Sequence, residues 1–255
     1  ISANNIKLSR KVVVGDCFEI ETNLLKWKRG LGSCEGVGKV NGEIACKAEF
    51  NIVMPDLIKD YKVIGPEDCK ENKNCIQSAL SKNKHVKLKA GIYNIVSPIS
   101  IKYKVLVGDT NGKTLIDAKL ITSKESIILK SGIISNIQLE NAFDNGIYIA
   151  NKSYGSLVYR IKVGNSGTRN ELSRAGKGIN IWGNQNQDHC IISAELYNGY
   201  NNTSSNKNKK IREKGGNADG IDIKDGPSNI TIIDVHSHHN SDDGFDFFSA
   251  GNKRI

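Results

Sequence analysis

Two aspartate-rich stretches lie close together in residues 217–248, NADGIDIKDGPSNITIIDVHSHHNSDDGFDFF. The pattern Asp-Gly-apolar-Asp-apolar begins at Asp219 and recurs 24 residues later at Asp243, directly after Asp242. Carboxylates gathered in one place can bind a hard cation such as Ca²⁺, or they can act as a general acid and a general base. Either chemistry requires the fold to bring the two stretches together.

Four short segments, each with Gly in second place, align without gaps: NGIYIAN (145–151), KGINIWG (177–183), DGIDIKD (219–225) and DGFDFFS (243–249). Because alternate residues of a strand share a face, the alignment predicts inward-pointing apolar residues at Ile147, Ile149, Ile179, Ile181, Ile221, Ile223, Phe245 and Phe247. The intervening positions are predicted to form two outward-facing columns, one of Asn145, Lys177, Asp219 and Asp243, the other of Tyr148, Asn180, Asp222 and Asp246.

Stacked strands lie about 4.8 Å apart, so these columns would bring several like charges together. Raised carboxyl pKa values, basic side chains or a cation could neutralise them, and Lys177 and Lys224 lie close by in the register. Calcium is favoured because it accepts many oxygen ligands. The predicted ligands are Asp219, Asp222, Asp242, Asp243 and Asp246. Asp225 with Gly226 is predicted to form only a turn.

Three histidines, His236, His238 and His239, lie between the two aspartate stretches. In a regular strand, adjacent side chains face opposite ways, so His238 and His239 are predicted to point apart. The sequence therefore argues against a histidine-bound metal.

The elements that must position the aspartates are mostly short strands. One amphipathic helix is predicted at residues 75–83, with Ile76, Ala79 and Leu80 on one face. After it, short apolar runs alternate with Gly, Asn, Asp and Ser. A repeat with loops of variable length, closed by a helix at its start, predicts an all-β parallel β-helix solenoid with a short N-terminal capping α-helix over residues 66–255. Residues 1–65 are predicted to be an extension or small subdomain.

A second set of segments lies between the first: LVYRIKVGN (157–165), CIISAELYN (190–198) and IIDVHSHHN (232–240). Each ends in Asn. The alignment predicts that Asn165, Asn198 and Asn240 stack at one corner of the solenoid.

The composition limits the partners and the compartment. The 255 residues carry a formal charge of +9, which favours a polyanionic partner such as nucleic acid, anionic lipid or an acidic polysaccharide and does not by itself choose among them. No nucleic-acid-binding signature is present. No apolar run is long enough to span a membrane. Five of six cysteines precede residue 76, which suggests a disulfide-stapled N-terminal segment, a local Cys69–Cys75 pair and secretion. The start at Ile1, without a methionine, leads us to expect a processed or trimmed chain.

NADGIDIK followed by NSDDGFDFF resembles the calcium site of family 9 pectate lyases. The resemblance implies a right-handed parallel β-helix that cleaves polygalacturonate by β-elimination, with Asp219, Asp242, Asp243 and Asp246 as calcium ligands. Lys224, Arg254 and Lys177 are expected to bind substrate carboxylates.

The catalytic base of that family is a lysine about one coil beyond the aspartates, and no matching lysine is present before Ile255. The catalytic residue is therefore unknown. We expect the β-helix to be incomplete at this end, where its open coil continues into, or contacts, further chain.

Two alternatives stay open. The same aspartates also resemble the carboxylates of family 28 polygalacturonases, which are inverting hydrolases in which Asp219, Asp242 and Asp243 would act without calcium. The chain could also be a non-catalytic β-helix that uses calcium as a structural staple and binds glycan or assembles with other chains.

Overall fold

The computed structural model describes residues 2–28, 31–53, 60–71, 73–123, 125–167, 176–200 and 218–247. The chain divides into two compact units, residues 1–60 and 61–255. The sequence placed this boundary at residue 65. The difference arises because β5, Lys62–Ile64, pairs with a strand of the second unit.

The first unit is a four-stranded antiparallel sheet. Its strands are β1 (Ser2–Leu8), β2 (Phe18–Lys28), β3 (Leu31–Val40) and β4 (Glu43–Val53), in the order β1-β4-β3-β2. Asn41 and Gly42 connect β3 to β4 with φ values of +50° and +81°, the left-handed pair that a two-residue hairpin turn requires. Local turn chemistry therefore sets this pairing.

In its described residues the second unit contains one α-helix, α1 (Cys75–Lys82), preceded by a 3₁₀ turn at Pro66–Cys69. After α1 come β6 (His85–Leu88), β7 (Gly91–Asn94), β8 (Ile99–Lys102), β9 (Val105–Val107), β10 (Thr114–Asp117), β11 (Glu125–Lys130) and β12 (Ile133–Glu140). The remaining strands are β13 (Asn145–Ile149), β14 (Leu157–Gly164), β15 (Ile179–Trp182), β16 (Gln187–Tyr197), β17 (Ile221–Lys224), β18 (Ser228–His238) and β19 (Phe245–Asp246).

These strands form two parallel sheets. The six-stranded sheet has the order β19-β17-β15-β13-β11-β8, and the nine-stranded sheet contains the path β18-β16-β14-β12-β9-β6-β5, with β10 pairing β12 and β7. The prediction of an all-β protein is confirmed. The predicted helix is also confirmed, since α1 buries Cys75, Ile76 and Leu80 in the core. Among the described residues, no helix has the length and apolar character that a membrane crossing requires.

The predicted register of the six-stranded sheet is confirmed. Ile147 lies opposite Ile179, Ile179 opposite Ile221, and Ile221 opposite Phe245. The three isoleucines are fully buried, so they form one continuous apolar column through the core. Phe245 and Phe247, predicted to point inward as well, are 39% and 43% exposed in the last described row.

In the nine-stranded sheet the predicted alignment is correct for β14 and β16 but shifted by one residue for β18. Tyr197 lies opposite His238. The next residues along the two strands are Asn198 and His239, so His239, and not Asn240, lies next to Asn198. Asn165 and Asn198 do stack, with a hydrogen bond of 3.2 Å between their amides. Asn240 instead accepts a hydrogen bond from the backbone N–H of Gly199 at 2.9 Å.

The cysteine prediction is confirmed in one pair. Cys69 and Cys75 form a disulfide with their Cα atoms 5.2 Å apart, whereas Cys17, Cys34, Cys46 and Cys190 form no disulfide. The disulfide stapling predicted for the N-terminal segment is therefore limited to this one pair. In the register of the first sheet, Cys34 lies opposite Phe50 and Cys46 opposite Gly38, so the two thiols are not cross-strand neighbours.

Candidate metal centre

The centre is built on the rows that β15, β17 and β19 add to the six-stranded sheet. Asn180 lies opposite Asp222, which lies opposite Asp246. The backbone ladder extends one step before these strands, since Gly178 N–H donates to the carbonyl of Asp219, and Gly220 N–H to that of Asp243. The carboxylate columns predicted from the sequence are thus present.

Their predicted exposure is wrong for the inner rows. Asp219 and Asp222 are 0% and 1% exposed, and Lys177 is 5% exposed. In β13, β15 and β17 the residue before the first isoleucine is Gly. This lets the nine-stranded sheet approach closely, since a Cβ on Gly220 would lie 1.8 Å from the hydroxyl oxygen of Ser237 in β18. Close packing of this kind encloses side chains that an isolated strand would leave open to solvent.

Lysine side chains neutralise part of this buried charge. Lys177 contacts the Asp222 carboxylate directly, and its Nζ lies 3.8 Å from Asp219 Oδ2. Lys224 Nζ lies 3.3 Å from Asp222 Oδ1 and 2.9 Å from Asp246 Oδ2. With Asp242 and Asp243, five carboxyl groups face two ammonium groups, so the lysines leave an excess of negative charge.

The pKa values reflect burial more than pairing. Burial raises the pKa of Asp219 to about 6, and the nearby charge of Asp242 raises it further, while Lys177 opposes the shift. Burial also lowers the pKa of Lys177 to about 8, together with the repulsion of Lys224. For Lys224, burial lowers the pKa, but its hydrogen bond and charge interaction with Asp246 outweigh that effect, so the pKa is raised.

Three of the five predicted metal ligands come together. Asp219, Asp243 and Asp246 each offer one carboxylate oxygen, and these oxygens lie within 4.8 Å of one another. Asp219 also fixes the turn that carries its partner, because its Oδ1 accepts the backbone N–H of Asp243 at 3.3 Å. Asp219 Oδ2, although buried, has no hydrogen-bond partner among the described residues.

The other predicted residues lie outside this group of three. Asp222 forms ion pairs with Lys177 and Lys224, and Asp242 is exposed beside the group. Arg254 lies outside the described residues. The burial of Lys177 favours an internal, charge-balancing role over the substrate-binding role that the sequence suggested. Asp225, with φ of +61°, and Gly226, with φ of +82°, form the predicted turn.

Two buried amides near the centre were not singled out from the sequence. Asn145 and Asn180 are 6% and 8% exposed, and each has a side-chain oxygen without a hydrogen-bond partner among the described residues. Both belong to the columns that contain the aspartates and Lys177. The sequence alignment thus placed both amides in the columns of the site, but only the structure shows that their oxygens are shielded from solvent.

Comparison with known proteins does not assign the chain to a family, since no family profile matches it. It is similar to the 3-hydroxyacyl-[acyl-carrier-protein] dehydratase FabZ of Vibrio campbellii, 44% identical over 49 residues, which is 19% of this chain and 33% of that protein. The same enzyme of Psychromonas ingrahamii is 40% identical over 47 residues, covering 18% and 31%. The chain therefore spans about a third of the length of the curated relatives it matches.

One solved structure is a distant neighbour. The catalytic domain of a GH87 alpha-1,3-glucanase in complex with tetrasaccharides aligns over 77% of this chain and 50% of that chain, with 12% identity and a TM-score of 0.20. This similarity is too low to indicate a shared fold.

Proposed function

We propose that the second unit is a right-handed parallel β-helix. From β11 to β19, consecutive strands along the chain belong alternately to the six-stranded and the nine-stranded sheet, and each pairs in parallel with the strand two places later. One turn of a solenoid per two strands accounts for this order. The right hand follows the general preference of parallel crossover connections.

On this scaffold, Asp219, Asp243 and Asp246 would hold a Ca²⁺ ion, with Asp242 next to them. The observation that carries the proposal is the gathering of three carboxylate oxygens within 4.8 Å. Carboxylate oxygen is the donor that calcium prefers. The buried Asp219 oxygen without a hydrogen-bond partner fits the same ion, because a buried carboxylate requires a compensating charge or hydrogen bond.

The function that this centre supports best is calcium-dependent binding of an acidic polysaccharide of the polygalacturonate kind, with β-elimination as the reaction. When bound, calcium would neutralise a uronate carboxylate and acidify the neighbouring C–H bond. Lys224, which is partly exposed at the edge of the centre, would bind a second substrate carboxylate. A net charge of +9 favours association with a polyanion, and we place the protein outside the cell, where such polymers occur.

A specific observation favours a second candidate, a β-helix that binds glycan through calcium without cleaving it. A general base needs a pKa near the working pH and access to the proton it removes. Lys224 fails the first requirement because its pKa is raised. Lys177, with a pKa of about 8, fails the second because it is buried. In this second candidate function, the centre binds the glycan and takes no part in cleaving it.

The test combines calcium binding with product analysis. Calorimetry with the metal-free chain should show calcium binding that Asp243→Asn weakens by at least about tenfold, since affinity follows the number of charged ligands. Asp225→Asn is the matched control, because Asp225 is a turn residue outside the three-carboxylate group. Equal calcium affinity of wild type and Asp243→Asn would refute the site.

Incubation with polygalacturonate then separates the activities. Unsaturated products detected by ultraviolet absorbance, formed with calcium and abolished by chelator, indicate the lyase. New reducing ends without that absorbance indicate the inverting hydrolase. Polymer binding without either product indicates the non-catalytic protein.

A further inference from the structure

His238 and His239 do not point apart as a regular strand requires. His239 follows the last residue of β18 and has φ of +55°, a left-handed conformation that turns its side chain back. The two imidazole rings are in edge contact, with centroids 4.9 Å apart, and their Nδ1 atoms are 2.6 Å apart. His236 contacts the His238 ring at a centroid distance of 4.4 Å. Three imidazoles therefore form one surface cluster.

The surrounding side chains fix the orientation of His238. Its Nε2 lies 3.4 Å from Oε1 of Glu195, and its ring stacks on Tyr197 with centroids 5.7 Å apart and planes inclined by 13°. Tyr197 is held in turn, because its hydroxyl donates to the buried Glu140. With Nε2 directed at a carboxylate, the other nitrogen, Nδ1, is left to face His239.

We propose that His238 and His239 bind a transition-metal ion of the zinc class, with the His236 ring packed beside that of His238. A carboxylate that accepts the N–H of a histidine and leaves the opposite nitrogen for the metal is the usual outer-shell arrangement at zinc sites, and Glu195 has that position relative to His238. Two nitrogens bound to one tetrahedral zinc are about 3.3 Å apart, so the exposed His239 ring needs only a small rotation to admit the ion.

The surroundings leave room for a further ligand. His236 also lines a groove of about 410 Å³ together with Arg160, Lys162, Ser193, Glu195 and Asp234. Water or another molecule can take the coordination positions of zinc that protein ligands leave open, and an exposed histidine cluster beside an open groove provides that access. The site uses nitrogen donors, whereas the proposed calcium centre uses only carboxylate oxygens, so the two should select different ions.

Calorimetric titration of the metal-free chain with Zn²⁺, in the presence of excess Ca²⁺, tests the proposal. We expect one zinc ion per chain. His239→Asn should lower the affinity more than a hundredfold, and Glu195→Gln should lower it about tenfold, the usual cost of losing an outer-shell partner. We expect His239→Asn to fold like wild type, because Asn165 and Asn198 adopt φ of +56° and +54° at the equivalent positions.

Two controls make the result specific. Asp243→Asn and His85→Asn should bind Zn²⁺ like wild type, because neither residue belongs to the cluster. Co²⁺ substituted for Zn²⁺ should give visible absorption bands of a nitrogen-bound tetrahedral ion, which His238→Gln abolishes. No zinc binding by the wild type, or binding that His238→Gln and His239→Asn leave unchanged, overturns the proposal.

Discussion

The two units of the chain bury different kinds of side chain. In the antiparallel first unit the buried hydrophobic residues are Cys34, Val40 and Ala45, while Leu8, Ile20 and Leu24 are 81%, 66% and 57% exposed. The parallel second unit buries isoleucines row after row. It also contains every buried polar or charged residue of the described chain, among them Lys177, Asp219, Asp222 and His189.

This difference follows from how strands stack. In the second unit each position lies above the equivalent position of the preceding row, as Asp222 lies opposite Asn180. A polar side chain at a position that recurs in each row is therefore covered by the side chains at the same position in the rows above and below. Its charge or hydrogen-bonding groups must then be compensated within that column. A four-stranded sheet with few rows encloses much less, so its polar side chains can face water.

The largest change in stability that tests this contrast is expected from removing a buried charge from the second unit. Lys177→Met leaves Asp222 and Asp219 without their closest cation, and breaking a buried ion pair from one side costs about 3 to 5 kcal/mol. We expect a loss of that size in the free energy of unfolding, measured by denaturant titration at neutral pH.

Lys224→Met is the matched control for Lys177→Met. The side chain of Lys224 is 22% exposed, and partly exposed ion pairs contribute about 1 kcal/mol or less. Equal destabilisation by the two variants would show that burial does not decide the strength of these pairs, and the contrast between the units would then need another explanation.

The sequence predicted the rows well because the isoleucine pattern fixes the register: a shift by one residue would turn every apolar side chain outward. The prediction that Lys177 and Asp219 point outward was wrong, because each lies two residues before a buried isoleucine, Ile179 or Ile221, and alternate residues of a strand share a face. Nor did the sequence predict that His239, and not Asn240, takes the left-handed position equivalent to Asn165 and Asn198, where its ring contacts that of His238. A positive φ is uncommon for residues other than Gly, although Asn, Asp and His adopt it more often than most.

A smaller effect is expected from apolar truncation, which compares the units directly. Ile181→Ala removes a fully buried side chain and should destabilise the second unit by about 2 to 5 kcal/mol, including the cost of the cavity. Ile20→Ala removes a side chain that is 66% exposed and should change stability by no more than about 0.5 kcal/mol.

Hydrogen exchange followed by mass spectrometry can assign each loss to its own unit. Ile181→Ala should accelerate exchange in peptides from the strands of the second unit, whereas Ile20→Ala should leave peptides from β2 and β3 nearly unchanged. A large effect of Ile20→Ala would mean that the exposed apolar face of the first sheet is covered in solution, and the contrast between the two units would then be smaller than the structure indicates.

The last comparison concerns pH, because only the second unit buries a histidine among the described residues. His189 is fully buried, and its Nδ1 accepts the backbone N–H of Ser156 at 3.1 Å. Burial lowers its pKa from 6.5 to about 4, with partial opposition from the charge of Asp188. The unfolded chain therefore takes up a proton between about pH 6.5 and pH 4 that the folded chain does not.

The stability that neutral His189 contributes is consequently complete above about pH 6.5 and is lost as the pH falls, by up to about 3 kcal/mol at pH 4. Denaturant unfolding of wild type and His189→Gln at several pH values isolates this effect, since all other groups titrate in both proteins. The difference in unfolding free energy between them should shrink as the pH decreases. The same comparison with His85→Gln, in which the replaced histidine is only half-buried, should show little change. A constant difference between wild type and His189→Gln would mean that the buried imidazole is protonated without cost, and that the polar interior of the second unit is more accessible to water than its packing indicates.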